Sequence, residues 1–361
     1  MPSIFLSAVE PSGDMLADWL EAGLRRVDPG VQIRRPSTGA PAPAMGLDPV
    51  WSGLEWLQHG RRVIHEASTC DVTVLVDGPA FHEWVGRRVR RGGPVISLGG
   101  PKIWAYRASR GPRYLRAIDA LMLLFRFEAP SWRRLGADPL VVGHPMVDRL
   151  ERVPSSGTKM DPGKVALLPG SRAGEVRRLA PVLAEVAKGL KEREFLVPRA
   201  PRVDLEPLLK RLRDHRLRFV VLDGEDCVLR AGRRAWVAVS AAGTATLELA
   251  LCGCPVAVVH RLDPMAAGWV RRQLTTPFVA LPNLVAGSSV VPEFLQERAN
   301  PQVILSWVRT ILASVDLREA RSERLRALMD DVRVEDGQGE AARLVLSIGR
   351  RKRDTIAFSS V

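Results

Sequence analysis

Short apolar runs alternate along the chain with longer stretches in which hydrophobic positions recur at helical spacing. The runs are mostly continuous, which is typical of strands buried on both faces of a sheet. Helical stretches between consecutive strands imply right-handed crossovers and parallel sheets. The predicted strands are residues 4–6, 72–76, 95–98, 121–125 and 140–142 in the first half, and 165–168, 195–197, 219–222, 236–239 and 256–259 in the second.

These two sets of strands predict an α/β protein with two doubly wound, Rossmann-like domains. Residues 153–164 (VPSSGTKMDPGK) are rich in Pro, Ser and Gly and mark the predicted seam. We therefore predict an N-terminal domain at 1–155, a C-terminal domain at 164–317, and a helical segment with a basic tail at 318–361. Ligands of such sheets bind outside the carboxyl ends of the strands, so the expected active site is an inter-domain cleft.

The net charge says more about possible partners than the overall composition does. The 361 residues carry 53 Lys and Arg against 40 Asp and Glu, a formal charge of +13. This excess favours a polyanion or an anionic membrane surface as a partner, although an arginine-rich composition alone also produces it. No apolar segment approaches the roughly 20 residues of a spanning helix, so any membrane contact is expected to be peripheral.

The chain has four cysteines and no leader-like N-terminal segment, which favours a reduced, cytoplasmic setting. Cys252 and Cys254 form a C-x-C pair without a second pair or nearby histidines, so we expect small buried residues rather than a zinc site. No D-x-D sequence follows a predicted strand. We therefore predict no metal and no cofactor.

Two predicted strand ends in the first half carry carboxylates. Glu10 and Ser12 follow the first strand, and Asp77 follows the strand at 72–76. Asp77 is either a general base facing the ligand or a helix N-cap. Beyond the next strand, Arg107 and Arg110 begin a series of arginines at every third position, which predicts a basic stripe on a helix or an ordinary solvated face.

In the second half, residues 167–175 read LLPGSRAGE. The glycine permits a close backbone approach, the start of the helix attracts anions, and Arg172 can donate to phosphate oxygens in pairs. Residues 240–248 (SAAGTATLE) form a second such turn, with Gly243, Thr244 and Thr246 as donors and Glu248 as an acceptor for ribose hydroxyls. Neither turn is a Walker loop, and each alone is also compatible with a plain strand-to-helix turn. Together they suit the two phosphates of a sugar nucleotide.

The ordered set of these loops resembles the lipid-A-disaccharide synthases, inverting glycosyltransferases of family 19 with the two-domain GT-B architecture. The motifs that carry the resemblance span most of the chain. They are EPSGD (10–14), DGP (77–79), WAYR (104–107), FE (127–128), VGHP (142–145), LLPGSR (167–172), GTATLE (243–248), LPN (281–283) and VPEFLQ (291–296).

The resemblance implies transfer from UDP-2,3-diacylglucosamine to 2,3-diacylglucosamine 1-phosphate (lipid X), giving the β-1,6-linked lipid A disaccharide 1-phosphate and UDP. It implies Asp77 as the base, Glu10 beside it or beside the acceptor, and Arg172 on the leaving diphosphate. The implied UDP-sugar residues are Ser171, Gly243, Thr244, Thr246, Glu248, Arg261, Asn283, Glu293 and Gln296. The implied acceptor or membrane residues are Ser12, Trp104, Arg107 and Arg110.

The same resemblance implies a Gram-negative enzyme of lipopolysaccharide synthesis at the cytoplasmic face of the inner membrane. Its expected partners are the two lipid substrates and that anionic surface, with a homodimer left open. No helix-turn-helix, zinc finger or RNA-binding motif supports nucleic acid as a partner.

The chain departs from the family pattern mainly on the acceptor side. Ala80 and His82 stand where the family usually has Asp and Asn, and His260 replaces a tyrosine. Residues 42–45 lack a usual arginine, residues 100–103 differ ahead of Trp104, and the segment from 60 to 71 is short. These departures keep alternatives open: a GT-B enzyme with another acceptor, a UDP-sugar epimerase, or a catalytically degenerate membrane-associated scaffold.

Overall fold

The computed structural model describes residues 2–9, 11–37, 49–153, 160–262 and 275–358. The chain forms two compact units. Unit 1 comprises Met1–Pro145 together with Val334–Val361, and unit 2 comprises Met146–Arg333. Each unit contains a six-stranded parallel sheet.

The sheet of unit 1 has the strand order β2-β1-β3-β4-β5-β6. The strands are β1 (Ser3–Ala8), β2 (Gln32–Arg34), β3 (Val72–Val76), β4 (Val95–Leu98), β5 (Ala120–Leu123) and β6 (Leu140–Val141). The α-helices are α1 (Pro11–Val27), α2 (Pro49–Ala67), α3 (Pro79–Val89), α4 (Gly111–Leu115), α5 (Ala129–Arg133) and, at the end of the chain, α15 (Gly337–Phe358). Short 3₁₀ helices lie at Ala108–Arg110 and Arg126–Glu128.

The sheet of unit 2 has the order β12-β11-β10-β7-β8-β9. Its strands are β7 (Asp161–Leu168), β8 (Glu194–Pro198), β9 (Arg218–Leu222), β10 (Ala235–Ala241), β11 (Val256–His260) and β12 (Glu293–Leu295). Its α-helices are α6 (Met146–Arg152), α7 (Ala173–Lys188), α8 (Glu206–Asp214), α9 (Cys227–Arg234), α10 (Thr244–Leu251), α11 (Leu281–Ala286), α12 (Pro301–Ala313), α13 (Val315–Arg326) and α14 (Leu328–Val332), with a 3₁₀ helix at Gln296–Arg298.

The continuous apolar runs are buried because helices cover both faces of each sheet. Every residue of β3 is buried, and its alternate side chains contribute to two separate hydrophobic clusters. Val74 packs in the cluster with α1 and α15, whereas Leu75 packs in the cluster with α2 and α3. The prediction of parallel, doubly covered sheets is confirmed.

All ten predicted strands are present, and two more were not predicted. The additional strands, β2 and β12, lie at sheet edges and have three residues each. Their residues are only half buried or exposed, so they lack the continuous apolar run that marks a central strand.

The course of the chain corrects the predicted domain division in two places. Unit 1 ends at Pro145 rather than at residue 155, so α6 belongs to unit 2, and the C-terminal end also differs. Helices α13 and α14 lie within unit 2 and not in a separate segment, and α15 returns to unit 1. Ala341, Val345 and Leu346 of α15 pack into the cluster that contains Leu20 and Leu24 of α1. The Gln338 side chain donates to the Trp19 carbonyl oxygen at 2.7 Å. The amphipathic pattern of the tail predicted a helix but could not identify the surface on which it packs.

Among the described residues, no helix is both long and apolar enough to cross a membrane.

Replacement of Gly337 by alanine tests whether α15 is an integral part of unit 1. A Cβ at Gly337 would collide with the Val142 carbonyl oxygen at the end of β6. We expect Gly337→Ala to destabilise the protein by about 1–3 kcal/mol, the usual cost of overpacking, and to make α15 more sensitive to protease. Gly92→Ala is the control, since its Cβ would meet only the Val89 carbonyl oxygen at 3.7 Å. Equal melting temperatures for the two variants would contradict this packing.

Candidate active site

In unit 1 the first strand lies between the two strands that follow it. The chain leaves β1 for β2 on one side and later enters β3 on the other, which places a topological switch point at the carboxyl ends of β1 and β3. Ala8 of β1 pairs with Val76 of β3, so the two strands end at the same level. Asp77 follows β3 directly, whereas Glu10, which follows β1, lies outside the described residues.

The main chain of Asp77 is held in an unusual conformation. Asp77 and Gly78 both have left-handed backbones, with φ angles of 53° and 54°. Asp77 N–H donates to the Leu98 carbonyl oxygen of β4 at 2.9 Å, and the Asp77 carbonyl oxygen lies 2.5 Å from Nδ1 of His82. Glycine is required at 78, because a Cβ there would also collide with Val9.

The Asp77 side chain starts beside the first turn of α1. A Cβ built at Gly13 would lie 3.5 Å from the Asp77 Cβ, which is ordinary van der Waals contact, so the two residues are neighbours. The N-terminal end of a 17-residue helix carries partial positive charge, which favours a carboxylate beside it. Ser12 is the second residue of α1, and its side chain is not described.

Trp104 is anchored by a buried carboxyl group. Its indole N–H donates to Oε1 of Glu128 at 3.1 Å, while Oε2 of Glu128 accepts from Phe125 N–H at 3.2 Å. Burial raises the pKa of Glu128, and these hydrogen bonds act in the opposite direction. Phe127 packs edge-on against Trp104, with ring centroids 5.0 Å apart. The two neighbouring motifs of the sequence therefore form one cluster.

The arginine series that begins at Arg107 does not lie on one α-helix, so the prediction of a stripe along a helix is wrong, and the alternative of a solvated surface is left. Arg107 has a left-handed φ of 51°, a 3₁₀ turn follows it, and α4 begins only at Gly111 with a proline in its first turn. Proline fixes its own φ and starts helices, which explains the break. Arg107 is exposed, and Arg110 is half buried.

Unit 2 has the same type of switch point. The chain passes from β7 to β8 and β9 on one side and then enters β10 on the other side of β7. Leu168 of β7 pairs with Ser240 of β10, so the two predicted anion-binding turns begin near the same level on neighbouring strands. Arg261 follows β11 and Gln296 follows β12, which are the next two strands in the sheet.

The turn after β7 already binds one anionic oxygen from its own chain. Gly170 has a φ of 111°, and the Ser171 N–H donates to Oε2 of Glu175 at 3.1 Å. The Arg172 guanidinium lies 3.5 Å from the other oxygen of Glu175, and 59% of its side chain is exposed. Glu175 is in the first turn of α7, where a carboxylate stabilises free N–H groups. The turn thus shows affinity for a carboxylate in the place where a phosphate was expected.

The turn after β10 presents an open surface. Gly243 and Thr244 are exposed, and no heavy atom lies within 4 Å of a Cβ built at Gly243. Thr246 instead faces inward: it is fully buried, and its hydroxyl donates to the Gly243 carbonyl oxygen at 2.7 Å. Thr246 therefore supports the turn, while Gly243 and Thr244 form its accessible part.

Glu248 lies one turn further along α10 in a partly buried position. Desolvation raises its pKa to about 7, with Arg149 lowering it and Asp226 raising it. The Arg149 guanidinium lies 3.1 Å from the Asp226 carboxylate, so Asp226 already neutralises part of the positive charge that would lower the pKa of Glu248. Glu248 therefore changes charge near neutral pH.

Asn283 and Glu293 connect two segments of unit 2. Asn283 is fully buried, and its Oδ1 accepts from the N–H groups of Val290 and Val291 at 2.7 and 2.8 Å. Its Nδ2 donates to the Val291 carbonyl oxygen at 3.0 Å and to Oε1 of Glu293 at 2.8 Å. Glu293 also accepts from the main-chain N–H groups of Val279 and Ala280. Both donors and both lone pairs of the Asn283 amide are thus used within the chain.

Arg261 and Gln296 are also engaged with neighbouring loops. The Arg261 guanidinium donates to the Ala299 carbonyl oxygen at 2.8 Å, and its own carbonyl accepts from Nε of Arg178 at 2.9 Å. Oε1 of Gln296 accepts from Leu262 N–H at 3.3 Å. Burial lowers the pKa of the adjacent His260, with Glu175 acting in the opposite direction.

The implied UDP-sugar residues thus fall into two groups. Ser171, Arg172, Gly243 and Thr244 are exposed at the switch point, and Glu248 is partly exposed behind them. Thr246, Arg261, Asn283, Glu293 and Gln296 make hydrogen bonds that hold the surrounding loops. Sequence reasoning missed Glu175 and Arg149. A glutamate three residues after a helix N-cap is a capping signal that points to Glu175, whereas nothing local marks Arg149.

Two parallel six-stranded sheets, each with its own switch point, are typical of the GT-B class of glycosyltransferase fold, and solved structures support this class. MurG of Acinetobacter baumannii superimposes with a TM-score of 0.58 at 15% identity, covering 96% of this chain and 100% of that one. The UDP-GlcNAc 2-epimerase of Neisseria meningitidis gives a TM-score of 0.60 at 12% identity, covering 96% of this chain and 99% of that one. At these identities the likeness shows the fold alone.

Sequence comparison identifies the family within that class. The lipid-A-disaccharide synthetase family model matches residues 43–339. The lipid-A-disaccharide synthase of Syntrophus aciditrophicus is 30% identical over 96% of this chain and 97% of its own length. That of Rhodopseudomonas palustris is 33% identical over 90% of each. The chain belongs to the lipid-A-disaccharide synthase family, and it is a glycosyltransferase.

The raised pKa of Glu248 predicts the sign of a pH effect on stability. An unfolded glutamate loses its proton near pH 4.5, whereas folded Glu248 keeps it until about pH 7. Wild-type stability therefore decreases across this interval relative to Glu248→Gln, which stays neutral. We expect Glu248→Gln to melt several degrees higher above pH 7 and to match wild type below pH 4.5 in thermal melts.

Asp161→Asn is the control, because the pKa of Asp161 is shifted in the opposite direction to that of Glu248. A hydrogen bond from Gly163 N–H and then Lys164 lower the pKa of Asp161 below 3.8. Its contribution is present above that pH and is lost as pH falls through the folded pKa. Asp161→Asn should thus be less stable than wild type at neutral pH and converge with it in acid. The same pH trend in both variants would contradict the assignment for Glu248.

Proposed function

We propose that this enzyme joins UDP-2,3-diacylglucosamine to 2,3-diacylglucosamine 1-phosphate. The acceptor 6-hydroxyl oxygen forms a bond to C1 of the donor sugar, and the bond from C1 to the diphosphate oxygen breaks. The proton passes from the hydroxyl to the base, and UDP leaves with the electron pair. Inversion at C1 gives the β-1,6-linked disaccharide 1-phosphate. Family membership is the observation that carries this proposal.

The donor is assigned to unit 2. The exposed Gly243 and Thr244 would allow close approach of a diphosphate, and Ser171 N–H and Arg172, in the turn after the adjacent strand β7, would supply donors to it. Negative charge develops on the leaving diphosphate, and a fixed guanidinium stabilises it most in the transition state. The diphosphate would replace the Glu175 carboxylate as the partner of this turn. Glu248 would accept from the ribose hydroxyls.

The acceptor is assigned to unit 1, with Asp77 as general base. The carboxylate follows a buried strand at a switch point, next to the first turn of α1. Glu10 would lie beside it or beside the acceptor. Trp104, Arg107, Arg110 and Ser12 are the proposed contacts to the lipid acceptor or to the anionic cytoplasmic face of the inner membrane, where the net charge of +13 favours binding.

The reaction is tested directly with purified protein and UDP-2,3-diacylglucosamine, with and without lipid X, followed by mass spectrometry of the lipids and measurement of UDP. Disaccharide that forms only with lipid X is the expected result. The GT-B fold also occurs in an epimerase, but an epimerase converts the donor without an acceptor. Donor isomerisation without lipid X, or donor binding with no product, would overturn the proposal.

Replacement of Asp77 by asparagine tests the base. Asn accepts a left-handed backbone readily and keeps the size of the side chain, so the fold should persist. We expect kcat to fall by about 10²–10⁴-fold, the range for loss of a general base, with UDP affinity unchanged. Asp138→Asn, at an exposed position of unit 1, is the matched control. Unchanged turnover in the folded Asp77→Asn protein would remove Asp77 from this role.

Replacement of Arg172 by alanine tests the stabilisation of the leaving group. We expect kcat to fall by roughly 10²-fold, as for loss of one electrostatic stabiliser. The stability should change little, because the side chain is largely exposed. Arg177→Ala, also exposed on α7, is the control for loss of positive charge. An equal decrease in both variants would indicate a general charge effect.

A further inference from the structure

His82 lies between two strands of unit 1 and makes a hydrogen bond with each ring nitrogen. The residue is fully buried in α3. Nδ1 lies 2.5 Å from the Asp77 carbonyl oxygen, and Nε2 lies 3.1 Å from Oγ of Ser7 on β1. Ser7 is fully buried as well. The imidazole thus connects β1 to Asp77, the residue that follows β3.

These contacts determine the tautomer of the ring. A carbonyl oxygen can only accept, so Nδ1 must carry the proton. Burial lowers the pKa of His82 to about 4, so the ring is neutral near pH 7 and Nε2 has a lone pair. Nε2 therefore accepts from the Ser7 hydroxyl. This arrangement gives each polar group of the buried pair a partner of the correct type.

The hydrogen bond acts on a residue whose conformation is costly. A left-handed backbone costs a non-glycine residue about 1–2 kcal/mol and persists only when the surroundings fix it. The N–H of Asp77 is held by Leu98, and its carbonyl is held by His82. Both peptide groups that flank the Asp77 Cα are thus fixed, and with them the direction of its Cα–Cβ bond.

We propose that His82 is a positioning residue that, with Ser7, fixes the main chain of Asp77 and so directs its carboxylate toward the acceptor hydroxyl. This inference rests on the proposed function, in which Asp77 is the base. A displacement of about 1 Å at a catalytic group can reduce turnover by about 10²-fold, so fixing the backbone is sufficient to matter. His82 is not itself a catalytic residue, because its ring nitrogens are both used within the fold.

The competing explanation is that His82 only fills space. Its ring packs against Phe81, with centroids 5.4 Å apart, in a cluster that includes Trp84. A side chain of similar volume without hydrogen bonds would then serve equally well. The two explanations differ in what asparagine does at this position, because asparagine is smaller but carries an N–H donor the same number of bonds from Cβ as Nδ1.

The test compares His82→Leu with His82→Asn in the transfer assay. If His82 positions Asp77, His82→Leu lowers kcat by about 10²-fold with little change in the KM for the UDP-sugar, and His82→Asn recovers most of the loss. Ser7→Ala removes only the distant hydrogen bond and should have a smaller effect. Melting temperatures and circular dichroism establish that each variant is folded.

Three outcomes overturn the proposal. They are wild-type kcat in folded His82→Leu, equal losses of kcat in the leucine and asparagine variants, and losses of kcat that follow the melting temperatures.

A second measurement is ¹⁵N NMR of the imidazoles at pH 7, with the His82 signals assigned by their absence from His82→Asn. A neutral ring protonated at Nδ1 is expected, and protonation at Nε2 or a charged ring overturns the proposal. If wild type makes no disaccharide, the proposed function fails, and the proposal that His82 directs a base fails with it; the NMR result then shows whether the hydrogen bond itself exists.

Discussion

The position of the first strand of each sheet is the constraint on which the candidate site depends. Strand β1 lies between β2 and β3, and strand β7 lies between β8 and β10. In each sheet the chain first continues on one side of this strand and later returns to pair on its other side. At such a point the connections diverge, which leaves the carboxyl ends of two neighbouring strands uncovered by either crossover. Asp77 lies at one of these points, and the turns with Arg172 and Gly243 lie at the other. The topology of the two sheets therefore places the candidate residues at these strand ends, whatever their side chains do.

Polar side chains then hold the loops that topology has placed. Loops cannot be fixed by a ladder of strand hydrogen bonds, so buried side chains must satisfy their main-chain groups. Asn283, Glu293 and Gln296 do this around β12, and Thr246 does it inside the turn after β10. Residues of this kind bind the protein's own loops, whatever part they have in binding a ligand. The resemblance alone does not reveal this, whereas the hydrogen bonds do.

The sequence predicted the parts of the fold that are determined locally. Continuous apolar runs were sufficient for ten of the strands, including β6 and β9 at sheet edges, and the glycine-containing turns marked both anion-binding candidates. The edge strands β2 and β12 were missed because three half-exposed residues carry no such pattern. The surface that receives α15, and the pairing of Arg149 with Asp226, depend on residues far apart in the chain. No period or spacing encodes contacts of that kind.

The two carboxyl groups proposed to act in the reaction occupy different surroundings. The Asp77 side chain starts beside the first turn of α1, directly after a buried strand of unit 1. Glu248 is desolvated beside the Arg149–Asp226 pair, and its pKa of about 7 keeps both protonation states accessible. A carboxyl group that can either accept or donate is well suited to the hydroxyls of a ribose, which can do both. Position rather than acidity argues for Asp77 as the proton acceptor, because Asp77 lies in the unit to which the acceptor is assigned, whereas Glu248 lies in the unit to which the donor is assigned.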